Sequence, residues 1–272
     1  MTALDRAVTI VHDLRPDSER APMDPIATAV QALVQARRSG VAALAVPLPD
    51  ADAAYAVQEG VSHSLGWFGD AAPRHWKSGA SSPTSLQTHA PLPPAGIRAS
   101  PADARAWPFR LRGIEAEIAL RLGCEVDADL AGSLDVAAAS ALVDAMCVAI
   151  ELVDTRWAEA LDAPPLAKLA DLQSHAALVL GEWQPYLRRD WASQVCRVAI
   201  GTAPMAEHRG SHSLGDPAAV LPAWLRHATR AGHRLPAGTV VTTGTWCGLP
   251  MAAAGDRVHV DFPGIGVADV QL

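Results

Sequence analysis

Between Gly113 and Gly123 the chain reads GIEAEIALRLG, and the order of residue types there restricts what it can build. Ile114, Ala116 and Ile118 alternate with Glu115 and Glu117. In a strand, side chains at i and i+2 share a face. The apolar set then points into a core, and the two carboxylates stand side by side on the opposite face. On a helix the same spacing would set the glutamates roughly 200° apart. Like charges facing a closed surface repel, so such a pair needs a cation, a proton or water beside it. A solvated strand face or a helix turn needs none of these, and the rest of the chain has to decide between the readings.

A sizeable core is available. The 272 residues fit one large domain, or a domain with a smaller appendage; half are apolar and 19% charged, which argues against disorder. The net charge of −7 and the lack of any run of five Lys or Arg argue against nucleic acid as a partner. An acidic protein still binds an anionic substrate where a metal ion supplies local positive charge. Cys124, Cys147, Cys196 and Cys247 form no C-x-x-C, and no apolar h-region stands near the N-terminus. This predicts reduced thiols in a cytoplasmic protein. No apolar run approaches the ~20 residues of a membrane span. The first 20 or so residues mix charge with proline, and part of them is expected to be mobile.

Asp24-Pro25 followed by IATAVQALVQARRSG predicts a capped helix that stops at Gly40. A second helix is expected to start near Asp50 or Asp52 and to end near Gly66. WKSGASS reads as a short strand entering a loop. Beyond Gly113, GIEAEIALRL, MCVAIELVDTRW, SHAALVLGEW, SQVCRVAIGT, GTVVTTGTW and DRVHVDFPGIG read as strands. DVAAASALVDA and AAVLPAWLRHATRAG read as helices, the second ending at Gly232. The expected organisation is a small helical N-terminal region over residues 1–75 and a β-rich core over 76–272. The fold class is α+β, without regular βαβ alternation.

Glu151 stands inside the apolar strand VAIELV, where an ionised carboxylate is costly to bury unless neutralised. A strand edge, or an ion pair with Arg156, would neutralise it without a metal. Together, Glu115, Glu117 and Glu151 make three oxygen ligands, which suits Mg²⁺ or Mn²⁺.

GIEAEIAL, AIELVDTR and AGTVVTTGTWCGLPMAAAGDRVHVDFPGIG together resemble the fumarylacetoacetate hydrolase superfamily. DAAYAVQ followed by WKSGASS, and KLADLQS within Ala167–Ser174, are similar to its 2-keto-4-pentenoate hydratase and 4-oxalocrotonate decarboxylase branch. The likeness runs from about Ala27 to the C-terminus. It implies a mixed β-sandwich roll with a metal at the mouth of the sheet, held by Glu115, Glu117 and Glu151. It places Lys77 on the branch's active-site lysine, and Ser81 and Ser82 on the end of the loop that follows. Asp171 and Ser174 fall on the Asp and Ser of the ADNAS motif, and Thr243, Gly244 and Thr245 on a TG-S/T turn. Leu172 replaces the ADNAS asparagine, and TTGTWCG is nearer to the hydrolase branch's turn than to the hydratase's. Trp76 and Trp246 are expected to add bulk near the pocket.

The resemblance implies a small 2-oxo acid substrate whose enolate a divalent metal stabilises, and a homo-oligomer. Lys77 would orient the substrate carboxylate or, with its pKa lowered by burial, exchange protons; a solvated loop lysine is the plainer alternative. Asp171 would orient Lys77 or a water, or simply make a turn. Ser81, Ser82, Ser174, Thr243, Gly244 and Thr245 would bind substrate. Arg156 is read as one half of a structural ion pair, and His208 and His212 as loop residues. The leading expectation is a hydratase of a 2-hydroxydienoic acid, with a decarboxylase second. A C–C hydrolase using Glu59 and His63, four apart on one helix face, is the rival enzyme. A catalytically silent keto-acid-binding member is the third reading.

Overall fold

The alternation in GIEAEIALRL is realised as a central strand, and the rest of the molecule is arranged around it. The computed structural model describes residues 24–272; the stretch expected to be partly mobile lies outside the described residues. Asp24 caps α1 (Pro25–Ser39) by accepting the Ile26 N–H. Asp50, rather than Asp52, caps α2 (Ala51–Leu65) through the Ala53 N–H. Strands β1 (His75–Gly79), β2 (Thr88–Pro91), β3 (Ile97–Ala99) and β4 (Ala102–Asp103) follow. Then β5 (Gly113–Leu122) pairs antiparallel with β6 (Val143–Val153). Between them a short helix that was not anticipated, α3 (Ala128–Ser133), comes first; the helix predicted over DVAAASALVDA is only α4 (Val136–Ser140), and its last residues already belong to β6. Each helix is capped by its own aspartate. The chain continues through α5 (Pro165–Ala170), β7 (His175–Leu180), β8 (Gln184–Pro185), β9 (Val195–Ile200) and β10 (Ala206–Arg209). It closes with α6 (Leu221–Ala228), β11 (Val240–Thr242), β12 (Arg257–Phe262) and β13 (Gly266–Gln271).

Two mixed sheets result. The larger is ordered β2-β1-β11-β5-β6-β7-β3, with β8 beside β6; the smaller is ordered β10-β9-β12-β13-β4. Ile114, Ala116, Ile118 and Leu120 of β5 meet Val258, Val260 and Phe262 of β12 and Val270 of β13 in the core between the sheets. Each buried Val, Ile, Leu or Phe there contributes about 1.5–3 kcal/mol by leaving water. The odd-numbered residues of β5 face the other way, where Ala119 joins Cys147, Ala149, Leu178 and Val240. This fold is α+β and β-rich, as the sequence implied. The helices α1 and α2 bury Leu33, Val57 and Val61 against Trp157 and α5, and the Trp157 indole N–H donates to the Ala167 carbonyl at 2.7 Å.

The sequence reading overran several strands. MCVAIELVDTRW leaves the sheet at Val153, because the Asp154 carboxylate accepts the backbone N–H groups of Arg110, Leu111 and Thr155 and turns the chain. GTVVTTGTW contributes only Val240–Thr242 before bending toward β5. β8, β10, β13 and the short strands β2 to β4 were not anticipated, and His208 lies in β10 rather than in a loop. Among the described residues no helix is long and apolar enough to cross a membrane.

Candidate metal centre

Register brings the carboxylates together. Glu115 lies directly opposite Glu151 across the β5–β6 ladder, and Glu117, two residues on, shares their face. One oxygen from each lies within 4.8 Å of the others. Glu117 and Glu151 are buried, and Glu115 is partly open to a cavity of about 570 Å³.

Lys77 is the cation of the cluster. Its Nζ is 2.5 Å from Glu151 Oε1 and 3.8 Å from Glu115 Oε2, and it also donates to the Gln173 carbonyl at 3.4 Å. The expected lowering of its pKa is not what the site produces. Burial pulls it down, but Glu151, Glu115 and Glu117 outweigh burial and raise it, so Lys77 is an ammonium. Burial and the neighbouring Glu151 lift Glu115 to about 7 despite Lys77. Burial and the other two carboxylates lift Glu117 well above the usual range. Burial also pushes Glu151 upward, but Lys77 and His175 hold it below its ordinary value.

The donor set fits a hard divalent cation. Three carboxylates face one lysine, so the cluster is left with negative charge when ionised. Glu151 Oε1 accepts from Lys77 Nζ and His175 Nδ1, whereas Glu151 Oε2 is buried with no partner among the described residues. An orphaned carboxylate oxygen is costly in the absence of a cation, and all-oxygen donors select Mg²⁺, Ca²⁺ or Mn²⁺ over softer metals.

Two turns complete the cavity. Gly244, at φ +110°, donates its N–H to Glu117 Oε2 at 2.8 Å, a backbone conformation that favours glycine. His212 Nε2 bonds the Thr243 carbonyl at 2.8 Å and steadies this turn from below. The second turn, Leu172–Gln173–Ser174, holds three successive non-glycine residues at φ +53°, +54° and +60°. Left-handed backbone costs about 1–2 kcal/mol per L-residue, and such strain collects at functional sites. Ser174 Oγ and Gln173 Oε1 are buried without partners among the described residues, and both residues line the cavity.

The sequence-predicted residues divide accordingly. Glu115, Glu117, Lys77, Ser81, Ser174, Gly244 and Thr245 line the cavity, with Glu151 beneath them. Ser82 does not; its hydroxyl bonds Thr84 and Ser85 within its own loop. Thr243 is buried and donates to the Ile118 carbonyl at 2.8 Å. Trp76 follows strand alternation to the face opposite Lys77, and Trp246 packs into the core against Phe262, so neither bulks the pocket. His175 was not anticipated.

Asp171 also takes a different place from the one expected. It is fully buried and contacts neither Lys77 nor the cavity. Its carboxylate accepts from Arg37 Nη2 at 2.9 Å, Arg156 Nε at 2.6 Å, the Arg156 N–H at 2.9 Å and Thr155 Oγ1 at 3.2 Å. Arg156 is therefore in a structural ion pair, with Asp171 rather than Glu151. Asp171 anchors the left-handed turn. Asp171→Asn is expected to destabilise the protein by about 3–5 kcal/mol in urea unfolding, as for a broken buried ion pair. Unchanged stability with lost turnover would return Asp171 to the reaction.

Sheet and site define a class: a β-rich α+β protein with a carboxylate–lysine centre fitted to a divalent cation. Residues 91–272 match the family described as fumarylacetoacetate (FAA) hydrolase C-terminal, and the chain belongs to that family. Among solved structures it is similar to 4-oxalocrotonate decarboxylase from Pseudomonas putida G7 complexed with magnesium and adipate. That likeness has a TM-score of 0.78 and 17% identity, over 93% of this chain and 98% of that one. The same enzyme complexed with calcium and acetate gives a TM-score of 0.77 and 18% identity over the same shares. 5-Carboxymethyl-2-hydroxymuconate delta-isomerase from Mycobacterium smegmatis matches at a TM-score of 0.52 and 15% identity, over 74% of this chain and 76% of that one. Among curated protein sequences none matches the chain.

Proposed function

We propose that the protein is a Mg²⁺- or Mn²⁺-dependent lyase that hydrates a small 2-hydroxydienoic or 2-oxo acid, such as 2-hydroxypenta-2,4-dienoate. The observation that carries this reading is the convergence of Glu115, Glu117, Glu151 and Lys77 on one cavity wall. A bound divalent ion would supply Lewis-acid stabilisation of negative charge developing on the 2-oxo acid oxygens. Lys77, as an ammonium, donates hydrogen bonds or a proton to the substrate. Ser174 Oγ offers a free hydroxyl at the wall, and the Gly244 N–H fixes Glu117. The buried floor under β5 keeps bulk water from the Glu151 side.

The rival hydrolase chemistry draws no support from the geometry. Glu59 pairs with Arg230 at 2.5 Å and lines a different cavity beside Trp76, and His63 does not line the metal cavity either. Decarboxylation of a 2-oxo acid is the second reading, favoured by the full-length likeness to the decarboxylase. A cytoplasmic homo-oligomer remains part of the proposal.

The test is turnover of 2-hydroxypenta-2,4-dienoate, followed by loss of dienoate absorbance, alongside CO₂ release from 4-oxalocrotonate. Mg²⁺-dependent dienoate loss that survives Glu59→Ala and His63→Ala but not Lys77→Met is the expected result. Turnover of acylpyruvates alone, abolished by His63→Ala, would move the assignment to the hydrolase.

Affinity for Mg²⁺ should depend on pH. The raised Glu115 and Glu117 must lose protons to ligate, so protons compete with the cation, at Glu115 below about pH 7. Affinity should fall roughly tenfold per pH unit for each proton displaced. For the metal-free fold the sign is opposite. A carboxyl whose folded pKa is raised binds its proton more tightly in the native state. Its stabilising contribution is therefore complete below its ordinary 4.5 and lost as pH rises toward about 7. Calorimetry at pH 6 and 8, and metal-free melting over the same range, measure both; flat profiles would place Glu115 outside the centre.

A further inference from the structure

A second cavity, also about 570 Å³, is separated from the metal cavity by the Asp171–His175 segment: Gln173 and Ser174 line the first, His175 and Ala176 the second. Its wall is cationic and aromatic. Arg37 and Arg156 both lean on the single carboxylate of Asp171, and Arg37 Nε has no partner among the described residues. Arg98 pairs with no carboxylate among the described residues. Its guanidinium donates to the Ile97 carbonyl at 2.8 Å and lies 5.1 Å over the Trp107 ring, which itself stands 5.7 Å from Phe109. The carboxylate that does line this wall, Asp154, already accepts from three backbone N–H groups. Two guanidiniums thus share one carboxylate, and the third has none among the described residues. Burial, and then the neighbouring Arg156, bring Arg37 down to about 9 against the pull of Asp171.

We propose that this cavity is a second ligand site, for a small carboxylate with a flat apolar body, and that its occupancy alters cation binding at the metal centre. The carboxylate faces the guanidiniums and the flat body lies against Trp107 and Phe109. The link to the metal centre runs through two contacts. An anion that draws Arg37 or Arg156 away from Asp171 loosens the clasp on the left-handed turn, whose Gln173 carbonyl receives Lys77. His175, on the shared wall, places Nδ1 on Glu151 at 3.1 Å while its buried Nε2 has no partner among the described residues. The link rests on the metal reading; the site does not.

Benzoate is the probe, because it lacks the 2-oxo group that would chelate a metal. It is titrated calorimetrically into the full chain, with and without Mg²⁺, in wild type, Arg98→Ala, Arg98→Lys and Glu117→Ala. The expected result is binding in wild type that is at least about tenfold weaker in Arg98→Ala, the worth of one charge-assisted hydrogen bond. Arg98→Lys should fall between, and Glu117→Ala should bind as wild type does. Saturating benzoate should shift the Mg²⁺ dissociation constant about fivefold, and Mg²⁺ should shift that of benzoate by the same factor. No benzoate heat at millimolar concentration overturns the site. So does binding lost in Glu117→Ala but kept in Arg98→Ala, which would put benzoate in the metal cavity. Binding that leaves Mg²⁺ affinity unchanged overturns the link. Benzoate binding as expected in a protein that takes up no Mg²⁺ upholds the site and defeats the metal reading instead.

Discussion

Replacing Glu117 with alanine is expected to abolish Mg²⁺ binding and, with it, turnover. Even the outer partners of a metal ligand are commonly worth about 10–100-fold in affinity, so removing one of three carboxylate ligands should exceed that. In wild type, oxalate, which mimics the chelating end of a 2-oxo acid, should tighten Mg²⁺ binding; in Glu117→Ala neither should give heat. The metal-free variant should remain folded, because the substitution removes a carboxyl that is hard to ionise where it stands. It leaves only the Gly244 N–H without its acceptor. Mg²⁺ affinity within a few-fold of wild type would remove Glu117 from the centre.

Lys77→Met should have the second large effect, and its pattern is diagnostic. Without the ammonium, the Glu151 carboxylate loses its 2.5 Å partner in a buried setting. Breaking a buried pair destabilises by about 3–5 kcal/mol. Mg²⁺ should recover most of that loss in a melting experiment, because a divalent ion supplies the charge the lysine supplied. Turnover should not recover. A group that transfers or positions a proton contributes about 10²–10⁴-fold, and the ion does not replace it. Full stability without Mg²⁺, or full turnover with it, would deny Lys77 the corresponding role.

The part of the site that could be read from sequence was the part written as alternation. Glu115, Glu117 and Glu151 announce themselves because charged residues interrupt apolar strands at the period of the sheet. Lys77 came through the resemblance, since a lone lysine in WKSG has no spacing of its own. The same alternation places Trp76 on the face opposite Lys77; the bulk assigned to it in the pocket neglected that rule. Asp171 could not be placed, because its partners are set by tertiary folding: Arg37 stands 134 positions away. His175 and His212 left no signal either. Each is a single histidine whose role depends on which strand or turn packs beside it. The starts of α3 and α4 and the early end of β6 were set by aspartates capping or turning the chain, which periodicity does not count.

The two-faced β5 also has a consequence for how such a chain can change over generations. Its loops can lengthen or shorten without touching the chemistry, but the strand has no such latitude. One residue inserted between Gly113 and Ile114 would rotate every following side chain to the other face. It would turn Glu115 and Glu117 into the apolar core and Ile114, Ala116 and Ile118 out toward the cavity. Folding and chemistry are written into the same ten residues in opposite phases, so β5 can drift by substitution but not by insertion or deletion.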